Sequence, residues 1–120
     1  MMNVPKMLRS FKFAFQGIQN LVKSENNARF HLLVTIIIIP IGVFLGLASI
    51  EWAIILTQIG LVWAAEAFNT AIEKLCDYVS PQHQVLIGKV KDLAAAGVLF
   101  VTIVAITVGL IIFGSKFIAL

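Results

Sequence analysis

The sequence predicts an all-α integral membrane protein: an N-terminal amphipathic surface helix followed by three transmembrane helices, all in a single domain spanning residues 1–120. Three observations carry that prediction. Hydrophobic side chains make up 60% of the 120 residues and charged ones 12%, and the mean hydropathy is +1.00. That is more apolar surface than one small water-soluble core can bury. Three apolar blocks, at about residues 29–49, 52–79 and 89–114, each reach the ~20 residues that a spanning helix needs. The basic residues gather at alternate ends of those blocks, as the positive-inside rule expects.

The surface helix is predicted over residues 6–23, "KMLRSFKFAFQGIQNLVK". Leu8, Phe11, Phe15, Ile18 and Leu21 or Val22 recur at intervals of three and four, with Lys12, Gln16, Gln19 and Lys23 between them, the pattern of a helix lying on the inner leaflet. This polar, basic segment does not read as a cleavable signal peptide. In the first span, Pro40 removes one backbone hydrogen bond and is expected to bend the helix. Gly42 and Gly46, four residues apart, offer a smooth face for another helix. The second span opens at Trp52, a residue typical of the membrane interface, and runs to Val79. The third follows the loop Ser80-Pro81-Gln82-His83-Gln84 and opens on Lys89 and the pair Lys91-Asp92.

Charge location sets the expected topology. Lys6, Arg9, Lys12, Lys23 and Arg29 precede the first span, and Lys74, Lys89 and Lys91 flank the second loop. The turn Ala48-Ser49-Ile50-Glu51 has no basic residue, so the N-terminus and the second loop are expected in the cytoplasm and the Glu51 turn outside. Lys116 is the one charge against the rule. Nine basic against six acidic residues is too small a surplus to suggest nucleic acid as a partner. The single Cys76 cannot form an internal disulfide and reads as a packing residue.

The chemistry concentrates in "AAEAFNTAIEKLCDYV", residues 64–79. Glu66, Asn69, Glu73 and Asp77 follow one another at helical spacing and share one stripe. Counting from Trp52 at 1.5 Å per residue, Glu66 lies ~21 Å and Glu73 ~31 Å deeper, which puts Glu66 within the inner leaflet and Glu73 near its headgroups. An ionised side chain in mid-membrane costs roughly 2.5–3.5 kcal/mol on insertion scales, so such a stripe needs partners or a function. A purely structural polar network is the plain alternative, most plausible for Asn69 alone. Glu25, Lys91 and Asp92 are expected at the same cytoplasmic boundary. Carboxylates at that density call for a cation, and hard oxygen ligands with room for water and phosphate suit Mg²⁺. A nearby lysine then reads as a phosphate contact, and the deepest carboxylate as a general base for a hydroxyl arriving from the lipid. The reaction class these residues suggest is phosphoryl transfer at the membrane surface. There is no Gly-rich phosphate loop, so a nucleotide would be held by scattered polar groups.

The motif E-x-x-N-T-A-I-E-x-x-x-D from Glu66 to Asp77, the pair Lys91-Asp92 after Val90, the segment Phe11-Lys12-Phe13-Ala14-Phe15-Gln16-Gly17, and Glu25 to Asn27 together resemble the prokaryotic diacylglycerol kinase family, which includes the undecaprenol kinases. The resemblance runs from about residue 6 to 114. It implies a homotrimer in the bacterial inner membrane that moves the γ-phosphate of MgATP to a lipid alcohol, diacylglycerol or undecaprenol, with active sites shared between subunits on the cytoplasmic side. By matching position it makes Glu66 the catalytic base and gives Mg²⁺ with the ATP phosphates to Glu25 and Glu73. Asn69, Lys91 and Asp92 complete the phosphate and metal environment, Asp92 through the nucleotide sugar or the lysine. Lys6, Gln82, His83 and Gln84 fall where the family contacts nucleotide. Phe13, His31 and Ala95 stand where the Gram-negative form has tyrosine, glutamate and serine, whereas Glu51-Trp52 and Val79-Ser80-Pro81 look more like the undecaprenol kinase branch. His31 reads as a plain interfacial histidine ahead of one that hydrogen-bonds a lipid headgroup or water, and Phe11, Phe13, Phe15, Phe30 and Trp63 read as lipid-facing or packing residues.

Two other functions fit a small membrane chain with buried acids. A proton-coupled multidrug exporter resembles four short spans with a solitary acid, whereas three spans and an acid cluster with Lys91-Asp92 are found here. A non-catalytic assembly subunit would use the stripe for packing alone.

Overall fold

The computed structural model describes all residues, Met1–Leu120. Four helices follow in order: α1 (Val4–Ser24), α2 (Asn26–Leu45), α3 (Ser49–Val79) and α4 (Val85–Ile118). Helix α1 opens where Asn3 Oδ1 accepts the Lys6 amide at 3.1 Å, with Pro5 in the first turn, where its missing N–H costs nothing. It ends one residue before α2 begins. The joint is Glu25, extended at φ −108° and ψ 121°. Arg29 secures the corner from the α2 side: its Nε donates to the Val22 carbonyl at 3.0 Å, and its guanidinium also donates to the carbonyl of Lys23. These are carbonyls that the end of α1 leaves without intrahelical donors.

Helix α2 runs through Pro40 and stops at Leu45, short of the expected residue 49. The reason is Gly46, whose φ of 69° lies in the left-handed region that favours glycine. The Leu47 amide then reaches the Gly42 carbonyl at 3.2 Å, closing the helix in a Schellman turn. Gly46 is therefore a stop signal, not half of a helix-contact face. Gly42 does permit a close approach, but of a side chain of this same chain. A Cβ there would lie 2.7 Å from Cη2 of Trp52 and 3.0 Å from Cδ1 of Leu47.

Helices α3 and α4 form the main antiparallel pair, clasped at both ends. Asp77 Oδ1 meets Lys91 Nζ at 2.5 Å near the short loop, and Glu51 Oε1 meets Lys116 Nζ at 3.0 Å at the far end. Glu51 Oε1 also accepts the Ala48 amide at 2.8 Å, satisfying a donor at the start of α3. Lys116, the charge against the topology rule, is thus neutralised by its neighbour. Helix α2 packs on α3 and α4, and α1 touches α2 and α3. Leu47, Ile55 and Ile112 form the apolar cluster at the Glu51 end, with Trp52, Ile59 and Phe113 against it.

The distribution of burial is inverted relative to a water-soluble bundle. Only 11 of 120 residues are buried, and they include Glu66, Asn69 and Thr70, while Phe44, Phe100 and Leu110 stand exposed. Such faces are stable against hydrocarbon or another subunit. Helices α2, α3 and α4 are each long and apolar enough to cross a bilayer, with mean hydropathies of 2.2, 1.3 and 2.7 over their best windows. The chain is a multi-pass membrane protein.

Candidate active site

The middle span supplies the site because its length lets one stripe run from the membrane interior to its edge. Along α3, Glu66, Asn69, Thr70, Glu73 and Asp77 succeed one another at steps of one to four residues. Glu66 is 1% exposed, the most completely buried large side chain in the molecule. Facing it from α2 is His31, whose Nε2 lies 3.6 Å from Glu66 Oε2, a contact just longer than a hydrogen bond. One turn on, Asn69 Nδ2 donates to Glu73 Oε1 at 3.5 Å.

Three buried oxygens of the stripe have no hydrogen-bond partner: Glu66 Oε2, Asn69 Oδ1 and Thr70 Oγ1. A buried polar atom left unpaired costs ~1–3 kcal/mol, so three in two turns of one helix mark a site built to receive something. The donor set fits Mg²⁺ with a nucleotide. Carboxylates from Glu25 and Glu73 and the free amide oxygen of Asn69 are hard ligands, and one subunit gathers no set of three His, Cys, Asp or Glu side chains around a point. Phosphate oxygens would complete such a coordination shell, as Mg²⁺ usually requires.

The remaining expected residues fall in three places. Lys91 stands beside the stripe, its Nζ 2.5 Å from Asp77 Oδ1. Its direct partner is Asp77, which lies on the stripe but had no role assigned from the sequence, while Asp92 is exposed and makes no hydrogen bond to the lysine. Gln82, His83 and Gln84 are exposed in the short α3–α4 loop next to the Asp77–Lys91 pair, where Ser80 Oγ donates to the Gln82 carbonyl at 3.0 Å. Lys6 is exposed in the first turn of α1, ~28 Å along that helix from Glu25, so a single subunit does not bring it to the cluster.

His31 is the residue that the sequence undervalued. It is no plain interfacial histidine, since it faces the buried acid and packs edge-on to Trp63 with ring centroids 6.5 Å apart. Trp63 in turn donates from Nε1 to Thr35 Oγ1 at 3.2 Å. These three residues form the polar end of a groove of about 390 Å³ that runs between α2, α3 and α4 past Ile38, Ile59 and Phe113. The helical offset between Trp63 and Glu66 was readable. Contact across to His31 was not, because it depends on the angle between α2 and α3.

Comparison with known proteins gives the family. Residues 12–113 match the family described as prokaryotic diacylglycerol kinase. The chain belongs to the prokaryotic diacylglycerol kinase family. It is therefore a lipid kinase, and its reaction is a nucleotide-dependent phosphoryl transfer. Among family members, it is 33% identical to an undecaprenol kinase from Bacillus subtilis over 111 residues, covering 92% of this chain and 90% of that protein. It is 32% identical to a diacylglycerol kinase from Haemophilus influenzae over 108 residues, covering 89% and 92% of the two chains. It is 24% identical to the diacylglycerol kinase of Escherichia coli K12 over 112 residues, covering 93% and 92%.

Proposed function

We propose that the protein transfers the γ-phosphate of MgATP to the terminal hydroxyl of a membrane lipid alcohol, undecaprenol or diacylglycerol, with Glu66 as the general base. The observation that carries this reading is a carboxylate 1% exposed, with one oxygen unpartnered and 3.6 Å from His31, which lines the polar end of an apolar groove, in a lipid kinase. The hydroxyl would approach along the groove while the apolar tail stays among α2, α3 and α4. Its oxygen attacks the γ-phosphorus, the bond from that phosphorus to the β-bridging oxygen breaks, and the hydroxyl proton passes to Glu66. Most of the catalysis in such a transfer is positioning and charge neutralisation. Glu25, Glu73 and Asn69 would hold Mg²⁺, which supplies neutralisation of the phosphate charge when bound. Lys91 and Asp92 would meet the nucleotide, with Asp77 holding the lysine extended toward it, and Gln82, His83, Gln84 and Lys6 would line its outer side.

The amphipathic α1 would lie along the cytoplasmic leaflet of the bacterial inner membrane, with Leu8, Phe11 and Phe15 toward lipid. Three copies would assemble through the exposed apolar faces of α2 and α4, with Glu25 of one subunit serving the Glu66 of the next. That arrangement would also bring a neighbour's Lys6 within reach of a site that its own subunit cannot supply. The test is to incubate detergent-purified protein with γ-labelled ATP, Mg²⁺ and either undecaprenol or diacylglycerol, and to count label in the extracted lipid. Label in either lipid supports the kinase reading, and the faster acceptor names the substrate. Absence of label from both, with the oligomer intact, refutes it.

A further inference from the structure

We infer that His31 is a positioning residue for Glu66, orienting the buried carboxylate toward the acceptor hydroxyl. The inference rests on Glu66 being the base. Glu66 is sealed from solvent, so water cannot fix the orientation of its carboxylate. Its Oε2 has no hydrogen-bond donor, and the nearest candidate is His31 Nε2 at 3.6 Å. A shift of about half an ångström would make that contact an N–H···O bond.

The imidazole is held at this distance by its surroundings. Trp63 and Phe30 both meet it edge-on, at centroid distances of 6.5 and 6.1 Å. Trp63 is fixed by its bond to Thr35 Oγ1, and that hydroxyl donates in turn to the main-chain carbonyl of His31 at 2.8 Å. Helix α2 thus contributes the imidazole and the hydroxyl one turn below it, while α3 contributes the indole and, three residues on, the acid. With Nε2 donating to Oε2, Oε1 is the oxygen left to accept the hydroxyl proton. Because His31 and Trp63 also line the groove, an arriving lipid head presses on the ring that aims the base.

The test compares H31F and H31Q with wild type and with E66Q, measuring kcat and KM for lipid and for MgATP together with oligomeric state in detergent. The ring of H31F fills the space but donates nothing, whereas the amide of H31Q can donate to Oε2. A misaimed base costs roughly 10–100-fold in turnover. We expect H31F to lose that much in kcat with KM for MgATP within about twofold of wild type, and H31Q to regain at least about tenfold over H31F. Wild-type turnover in H31F overturns the inference. So does an equal loss in H31F and H31Q, or a loss that appears as dissociated oligomer, since a packing role produces both. If H31F does not fold, H31Q alone decides, because turnover below one hundredth of wild type in an intact oligomer is incompatible with a replaceable donor. E66Q separates the two levels of the account: if E66Q keeps transferring phosphate, the base assignment fails, whereas an inactive E66Q with a fully active H31F sinks only the inference about His31.

Discussion

At the scale of single residues, the site combines groups whose burial sets their roles. Glu66 is deep and unpartnered, Glu73 and Glu25 are half-buried, and Lys91 is at the rim. Two predictions follow from that gradient. The Lys91–Asp77 pair is exposed, with 37% and 66% of the two side chains open, and exposed pairs contribute little to stability. Lys91→Ala should therefore leave the thermal midpoint in detergent near that of wild type while raising KM for ATP and lowering kcat. A fall in the midpoint with unchanged kinetics would make the lysine a structural clasp. Asn69→Ala removes both the bond to Glu73 and the free amide oxygen, so turnover should come to require a higher Mg²⁺ concentration. A titration of activity against Mg²⁺ reads that shift directly. The acid stripe was legible in the sequence because helical spacing alone puts Glu66, Asn69, Glu73 and Asp77 on one face. The partners His31 and Asp77 were not, because His31 meets Glu66 across two helices, and Lys91 reaches back fourteen residues to Asp77 in preference to its neighbour Asp92.

At the scale of elements, the four helices were readable from apolar block length and basic flanks, and their ends were not. The sequence placed the first span to about residue 49, and the backbone at Gly46 ends it at Leu45. The fourth helix begins at Val85, four residues before the expected start, because Gln84 is already an extended cap. The two glycines of α2 looked equivalent in the sequence and differ in the fold. Gly46→Ala forces a side chain into the left-handed region and should cost about 1 kcal/mol. Gly42→Ala drives a methyl into the Trp52 ring and should cost about 1–3 kcal/mol. Unfolding of the two variants in detergent checks the order. If Gly42→Ala proves the milder of the two, Trp52 is not packed against α2 as described here. Neither change lies near Glu66, so activity per folded protein should hold in both.

At the scale of the whole molecule, one subunit leaves its apolar faces open and its acids covered. The proposed trimer accounts for both, since α2 and α4 gain neighbours and the active site gains groups from a second chain. Glu25 stands at the head of α2, the helix whose His31 faces Glu66 in the same chain, so a site complete within each chain is the competing geometry. Mixing subunits carrying E25Q with subunits carrying E66Q, each inactive alone, separates them. Shared sites should return about a quarter of wild-type activity at equal mixing, the fraction of junctions with both acids intact. Sites closed within each chain should return none. The most direct measurement of the central claim is transfer of γ-labelled phosphate from ATP to lipid alcohol by purified E66Q beside wild type, both confirmed as intact oligomers. The account predicts label in lipid with wild type and a loss of at least about 10²-fold with E66Q. Wild-type rates from an intact E66Q oligomer would contradict it.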